Sequence, residues 1–275
     1  MNFSVLLSVY FKEKSEFLDQ ALQSILIKQS VIPNEVILVK DGPLTVELEE
    51  IIEKYKINFP EIIKIIPLEK NVGLGKALEI GLKACSNELV ARADTDDINY
   101  PKRFEKQLKE FLNDPELDAV GSYISEFYNS KDEIIFIKQV PLSNSEIIRK
   151  SKRRNPMNHM TVMFKKKSVI DVGSYKHLFY LEDYYLWVRL LSNGAILKNV
   201  GEPLVYVRTG EDLYSRRSNP KYITSWFNLQ KFMYSRRMIG KTDYFINMVN
   251  IISFILIPPR LKKYIYKFYL RKATS

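Results

Sequence analysis

Through the first hundred residues, short apolar runs alternate with amphipathic stretches. Residues 3–10 (FSVLLSVY), 35–42 (EVILVKDG), 62–69 (IIKIIPLE) and 88–94 (ELVARAD) are nearly continuous in Val, Ile and Leu. Between them, residues 15–29, 46–57 and 75–86 repeat apolar positions every three or four residues. A period near two marks a strand and one near 3.6 marks a helix. A strand with no polar alternation is one buried on both faces. The pattern therefore predicts β-α-β-α units forming a parallel sheet with helices on both sides, the α/β doubly wound class.

Beyond residue 100 the rhythm changes. Pro101 opens a helical pattern with Phe104, Leu108, Phe111 and Leu112 on one face, as proline does at a first turn. Residues 117–129 and 133–141 read as a hairpin around Ser130-Lys131-Asp132, followed by a short helix and a strand over 159–166. Residues 180–194 read as a helix with Gly194 as its stop, and residues 202–210 close the globular part. With no repeat or low-complexity linker in view, residues 1–215 are expected to form one domain and 216–275 a helical extension.

Composition restricts the chemistry. The chain has 275 residues, one cysteine and two histidines, which excludes an internal disulfide and argues against a zinc cage. Any metal is expected to be a hard, oxygen-bound ion. The net charge of +10 suggests nucleic acid until it is located. From Ser215 onward there are 13 Lys and Arg against one acid, Asp243, leaving 29 basic and 31 acidic residues before it. A cation excess confined to one end fits an anionic membrane surface better than a nucleic-acid groove.

The end itself divides in two. Residues 244–259 are apolar but contain Asn247 and Asn250 and are too short to span a bilayer alone. Residues 260–272 place Leu261, Tyr264, Ile265, Phe268 and Tyr269 at helical spacing against Arg260, Lys262, Lys263, Lys267 and Arg271, an interfacial pattern. Docking of this helix on its own domain is the alternative. Met1 leads almost at once into a strand, without a basic start or a cleavage site, so a cytoplasmic-side protein is expected.

In open α/β sheets the ligand crevice lies beyond the carboxyl ends of the strands. Those ends carry Ser8-Val9-Tyr10, Asp41-Gly42 and Asp94-Thr95-Asp96. Residues two apart in an extended segment share a direction, so Asp94 and Asp96 can address one ion. Carboxylates beside a diphosphate suit Mg²⁺ or Mn²⁺. The alternative is an acidic turn in which Asp97 or Asn99 caps the following helix. No G-x-G-x-x-G follows the first strand and no P-loop is present. Gly73, Gly75 and Gly81 instead follow the third strand, where Lys76 would bring a cation near a nucleotide. Glu182-Asp183 opens a helix among aromatics, where desolvation would make a carboxylate a better base. The dipole preference of acids for helix starts is the competing reading.

Six segments in this order resemble family 2 glycosyltransferases of the GT-A fold, of the type found in bacterial capsular and exopolysaccharide synthesis. They are Ser8–Tyr10, Lys40–Gly42, Asn71–Leu82, Ala91–Gln107, Asn158–Lys166 and Glu182–Leu190. The resemblance implies a nucleotide-sugar site drawn from Val9, Tyr10, Asp41, Asn71, Lys76, Arg92, Asp94 and Thr95. Val9 and Asp41 would meet the uracil or ribose, Asp94 the ribose or a metal-bound water, and Asp96 the metal. Asp183, rather than Glu182, would be the base of an inverting transfer. His159 and Trp187 would lie toward the acceptor and Arg216-Arg217 would form a lid, while Arg189 is expected to be a structural ion-pair partner. Two departures stand out: Lys40-Asp41-Gly42 replaces the usual paired acids, and Q-x-x-R-W is missing. The latter implies addition of one sugar rather than polymerisation. The implied partners are a nucleotide-sugar donor and a glycan acceptor, lipid-linked, with no nucleic acid. A non-catalytic nucleotide-sugar binder at the membrane is the other reading.

Overall fold

The computed structural model describes residues 1–209 and 220–256. Strands β1 (Phe3–Val9), β2 (Glu35–Lys40), β3 (Ile63–Pro67) and β4 (Leu89–Arg92) pair in parallel in the order β3-β2-β1-β4. They are linked by helices α1 (Ser15–Leu26), α2 (Val46–Asn58) and α3 (Leu74–Ala84). This is the predicted β-α-β half. Every apolar residue of β1 is fully buried, because helices cover both of its faces. One core cluster lies on the α1 and α2 side and a second on the α3 side. Gly81 of α3 faces Leu6 and Val39, where an added Cβ would fall within 2.6 Å of both side chains. Glycine is therefore what lets the helix lie this close to the sheet.

The second half is mixed in direction. After β5 (Ile98–Asn99) and α4 (Arg103–Asn113), the expected hairpin forms from β6 (Leu117–Phe127) and β7 (Ile134–Lys138), and α5 (Asn144–Ser151) follows. A 3₁₀ turn (His159–Thr161) leads into β8 (Met163–Lys165), so the predicted strand over 159–166 is shorter and begins as a turn. The remaining elements are α6 (Lys166–Asp171), α7 (Glu182–Ser192) and β9 (Ile196–Arg208). The full order is β3-β2-β1-β4-β8-β6-β9-β5, with β7 paired to β6. Among the described strands only β5, β7 and β8 run against the rest.

Helix α4 starts at Arg103, after a turn that contains Pro101. Neither Asp97 nor Asn99 caps it. Asn99 instead bonds Ser24 and Arg103, and Asp97 accepts from the Arg208 N–H (3.1 Å). Helices α8 (Pro220–Ser235) and α9 (Lys241–Leu256) pack on α7 through a third cluster that joins Leu178, Leu181, Tyr184 and Val188 to Tyr222, Leu229, Met233 and Met248. No described helix is long and apolar enough to cross a membrane. Arg216, Arg217 and residues 260–272 lie outside the described residues.

Candidate active site

The pairing register brings the strand ends to one rim. Arg92, the last residue of β4, lies opposite Leu6, three residues before the end of β1. The chain thus leaves the sheet early, and Asp94–Asp97 turn past the tip of β1. Two contacts hold the turn. Thr95 Oγ1 donates to Glu13 Oε2 (2.8 Å) in the loop after β1, and Ile98-Asn99 pair with Tyr206-Val205 of β9. That second pairing carries Arg208 to the rim, where its guanidinium lies over the Phe17 ring at 3.8 Å.

Carboxylate oxygens of Asp94, Asp96 and Asp97 all lie within 4.8 Å of one another. The expected pair is therefore a triad, whose third member had an alternative reading as a helix cap. Three carboxylates this close cannot all ionise freely. Burial, then the charges of Asp94 and Glu13, pushes Asp96 up to about 7. Asp97 is raised well above the carboxylate range by burial and by Asp96 and Asp94, and its Oδ2 is buried without a hydrogen-bond partner. A hard dication would satisfy that oxygen and remove the repulsion, so the donor set fits Mg²⁺ or Mn²⁺.

Arg92 sits beneath the triad with only 1% of its surface exposed. It is ion-paired to Asp94, and its Nε and Nη1 are buried without partners. Buried donors are nearly always satisfied, and these two nitrogens have almost no accessible surface, so ordered water is the partner their site admits.

The other candidate contacts divide. Asp41 is buried and accepts from the N–H groups of Val72 (2.7 Å) and Gly73 (3.1 Å), while Asn71 Nδ2 donates to its carbonyl (3.2 Å). Both residues therefore shape the loop before α3. Val9 is a core residue, and its carbonyl accepts from the Asp41 N–H; only its backbone borders the crevice. Thr95 is buried and committed to Glu13. Lys76 pairs with Glu79 on its own helix (2.7 Å). Tyr10, with Phe11 beside it, is exposed after β1.

Glu182 and Asp183 form the first turn of α7. Burial, then Asp183, raises Glu182 to about 7, and an added Cβ on Gly75 would lie 3.0 Å from its Cγ. Asp183 is also raised by burial. Its Oδ2 accepts from Asn155 Nδ2 (2.6 Å) and its Oδ1 from the Tyr184 N–H (2.7 Å). The fully buried Tyr175 hydroxyl is pushed up by burial and feels the charges of Arg92, Asp183 and Asp94. Just before the pair, Tyr180 has a left-handed backbone (φ 61°), which is costly for a bulky residue and concentrates at functional sites.

Three expectations need correction. Trp187 has no exposed surface and packs edge-on to His159 in the core, so it is not available to an acceptor. His159 is itself nearly buried, with Nε2 bonded to the Tyr175 hydroxyl (3.0 Å) and its basicity suppressed by burial and by Arg92. Arg189 donates to the Val172 carbonyl (2.7 Å) and lies over the Tyr185 ring, so its role is structural but its partners are not carboxylates. Periodicity gave no sign of Glu13, Asn155, Tyr175 or Arg208, because each joins the site through a contact far along the chain.

A parallel half-sheet with an acidic turn at its rim, extended by a mixed half-sheet, is the architecture of a GT-A glycosyltransferase. The family model "Glycosyl transferase family 2" matches residues 4–179, and the chain belongs to that family. It is 42% identical to the amylovoran biosynthesis glycosyltransferase AmsE of Erwinia amylovora, covering 86% of this chain and 88% of that protein. It is 40% identical to the UDP-Gal:alpha-D-GlcNAc-diphosphoundecaprenol beta-1,3-galactosyltransferase of Escherichia coli, covering 98% and 97%. Among solved structures, S. aureus TarS 1-349 shares the fold with a TM-score of 0.67 at 20% identity, covering 98% of this chain and 76% of that one.

Proposed function

We propose that this glycosyltransferase is metal-dependent and inverting, and that it passes one sugar from a UDP-sugar to a lipid-linked glycan in bacterial surface polysaccharide synthesis. The observation that carries this reading is the carboxylate triad at the strand ends, three acids whose oxygens lie within 4.8 Å of one another beside the buried Arg92. Support also comes from the Escherichia coli relative, whose name specifies a UDP-sugar donor and a diphosphoundecaprenol-linked acceptor, and from two fold neighbours, one solved with UDP-GlcNAc and one with GDP-Man and Mn2+.

Asp94, Asp96 and Asp97 would hold the ion, which when bound neutralises charge on the departing diphosphate. Arg92, ion-paired to Asp94, would orient that carboxylate toward the ion. Asp183 accepts the proton of the acceptor hydroxyl. That oxygen forms a bond to the anomeric carbon as the carbon–oxygen bond to the diphosphate breaks, and the bonding pair leaves with UDP. Asn155 and the Tyr184 N–H hold Asp183 in one orientation, which suits a base that must meet a single hydroxyl.

Residues 1–215 are read as the catalytic domain and 216–275 as an extension that places it at the cytoplasmic membrane face. The 13 cationic residues against one acid from Ser215 onward support that attachment. Removing residues 257–275 leaves the described part of α9 intact and should abolish binding to anionic vesicles.

The decisive test is transfer and UDP-sugar hydrolysis by Asp96→Ala and Asp183→Asn. Asp96→Ala should lose both Mn²⁺-dependent UDP binding and transfer, whereas Asp183→Asn should keep UDP binding and lose transfer. Wild-type turnover by Asp96→Ala would refute the reading, and a wild-type chain that binds UDP-sugar without ever consuming it would make this a binding protein.

A further inference from the structure

The loop between α5 and the 3₁₀ turn carries Asn155, the side chain that donates to Asp183. Three backbone carbonyls of this loop are fastened by side chains from three different elements. The Ser151 carbonyl accepts from the Tyr184 hydroxyl of α7 (2.6 Å), the Lys152 carbonyl from Asn247 of α9 (2.8 Å) and the Pro156 carbonyl from Asn199 of β9 (3.2 Å). The amide of Asn155 is fixed as well. Its Oδ1 accepts from the Met157 N–H (3.3 Å), which turns Nδ2, the donor, toward Asp183. Reversing the amide would lose both bonds, since an amide oxygen cannot donate to a carboxylate.

Tyr184 acts at both of its ends. Its N–H donates to Asp183 Oδ1 (2.7 Å), and its hydroxyl, across a buried ring, reaches the loop that holds the other partner of the same carboxylate.

Asn247 comes from the C-terminal extension. It is buried, on a helix whose Met248 and Ile251 join the third core cluster. An amide in such a place costs free energy unless its hydrogens are bonded. Asn247 Nδ2 donates both to Gln230 Oε1 of α8 (2.7 Å) and to the Lys152 carbonyl. One turn earlier on the same face, Asp243 pairs with Arg153 (3.4 Å). Apolar residues in place of the two amides would hold α8 on α9 about as well, so helix packing accounts for the bond to Gln230 but not for the bond across to the loop.

We propose that Asn247 and the Tyr184 hydroxyl are positioning residues for the proposed base, setting the 151–155 loop so that Asn155 meets Asp183, and that the α8–α9 extension is thereby part of the active-site framework. This deepens the proposed function and rests on its assignment of Asp183. Neither group acts on the substrate directly. Lys152 lies three residues before Asn155, so slack at its carbonyl passes to the amide and from there to the carboxylate. A base that must meet one hydroxyl is sensitive to such slack: a displacement of about 1 Å can cost on the order of a hundredfold in rate.

The test uses the full chain and measures UDP release from whichever of UDP-glucose, UDP-galactose and UDP-GlcNAc the wild type consumes fastest, with water standing in for the acceptor hydroxyl. The variants are Asn247→Ala, Tyr184→Phe and Asn155→Ala, with the first two also combined with the third. Rates are expressed per chain that binds UDP, which removes any loss of folded protein. Asn247→Ala and Tyr184→Phe should each lower kcat about three- to tenfold, the size of one lost neutral hydrogen bond, with donor KM unchanged. In the Asn155→Ala background neither should lower kcat further, because the contact they serve is already gone. Tyr184→Phe keeps the buried ring, so it carries the test should Asn247→Ala not fold. Losses that multiply in the double variants, a change confined to donor KM, or wild-type kcat in Asn155→Ala or in both single variants would overturn the positioning role. Asp183→Asn separates the two levels. If it is inactive while the double variants multiply, only the positioning role falls; if it keeps wild-type turnover, or if the wild type consumes no UDP-sugar, the proposed function falls and the positioning role with it.

Discussion

Asn155 Nδ2 donates to Asp183 Oδ2 at 2.6 Å, joining the loop after α5 to the first turn of α7. The bond favours the ionised carboxylate and partly offsets the desolvation that raises it. Asn155→Ala should therefore raise the Asp183 pKa further and move the acidic limb of the kcat profile to higher pH. A lost hydrogen bond to a charged group costs about 1.5–3 kcal/mol, so kcat near neutrality should fall roughly ten- to a hundredfold. The KM for donor should change little. Steady-state kinetics across a range of pH separates this from a folding defect, which would lower the amount of active enzyme without moving the profile.

The acidic triad makes stability depend on pH in a definite direction. Asp96 is held at about 7 in the folded chain, against an ordinary value of 3.8. The folded state therefore holds a proton that the unfolded state has released between these values. Stability of the metal-free protein should be greatest at low pH within this range and fall as pH rises toward about 7. Mn²⁺ should reverse the penalty, so the gain in melting temperature on adding Mn²⁺ should be larger above the folded-state pKa than below it. A gain independent of pH would mean the ion binds elsewhere.

Glu13 is one source of that strain, since its charge helps to raise Asp96. Glu13→Gln should lower the Asp96 pKa and shift the pH midpoint of Mn²⁺ binding downward, while Gln can still accept from Thr95. Mn²⁺ titrations at several pH values test it; an unchanged midpoint would remove Glu13 from the site's electrostatics.

Gly42 has φ +90°, and a Cβ there would lie 2.7 Å from the Asn71 N. Its neighbour Asp41 fastens the same loop through Val72 and Gly73. Gly42→Ala should destabilise the fold by about 1–3 kcal/mol, from positive-φ strain plus a backbone collision. Chemical denaturation should show a lower midpoint, and donor binding should weaken because the loop is displaced.

The two halves of the chain differ in how far their sequence discloses structure. In residues 1–100 the strands β1, β2 and β4 are buried on both faces and the edge strand β3 is half-buried but apolar, so hydrophobicity alone marks β1 to β4 and fixes where their polar ends fall. Asp94, Asp96 and the Glu182-Asp183 pair stood out as candidates because acids at a strand end or a helix start are local features. The second half pairs strands distant in sequence. Nothing local indicates that β5 will meet β9, a pairing that brings Arg208 to Asp97. Trp187 shows the opposite error: an aromatic beside the Glu-Asp pair suggests a ligand contact, but α7 turns it into the core beside His159.

By itself, then, the order of apolar runs and acidic turns determined the half-sheet, its rim and the acidic character of that rim, because those follow from burial and charge along a continuous segment. Tertiary structure decided which side chains remain free to act. It committed Asp41, Thr95 and Lys76 to internal contacts, enlarged the acidic pair to a triad, left two Arg92 donors unpaired, and set Asn155 against Asp183. Those outcomes depend on contacts between distant segments, where the energy of a polar group is set by what surrounds it rather than by its neighbours in sequence.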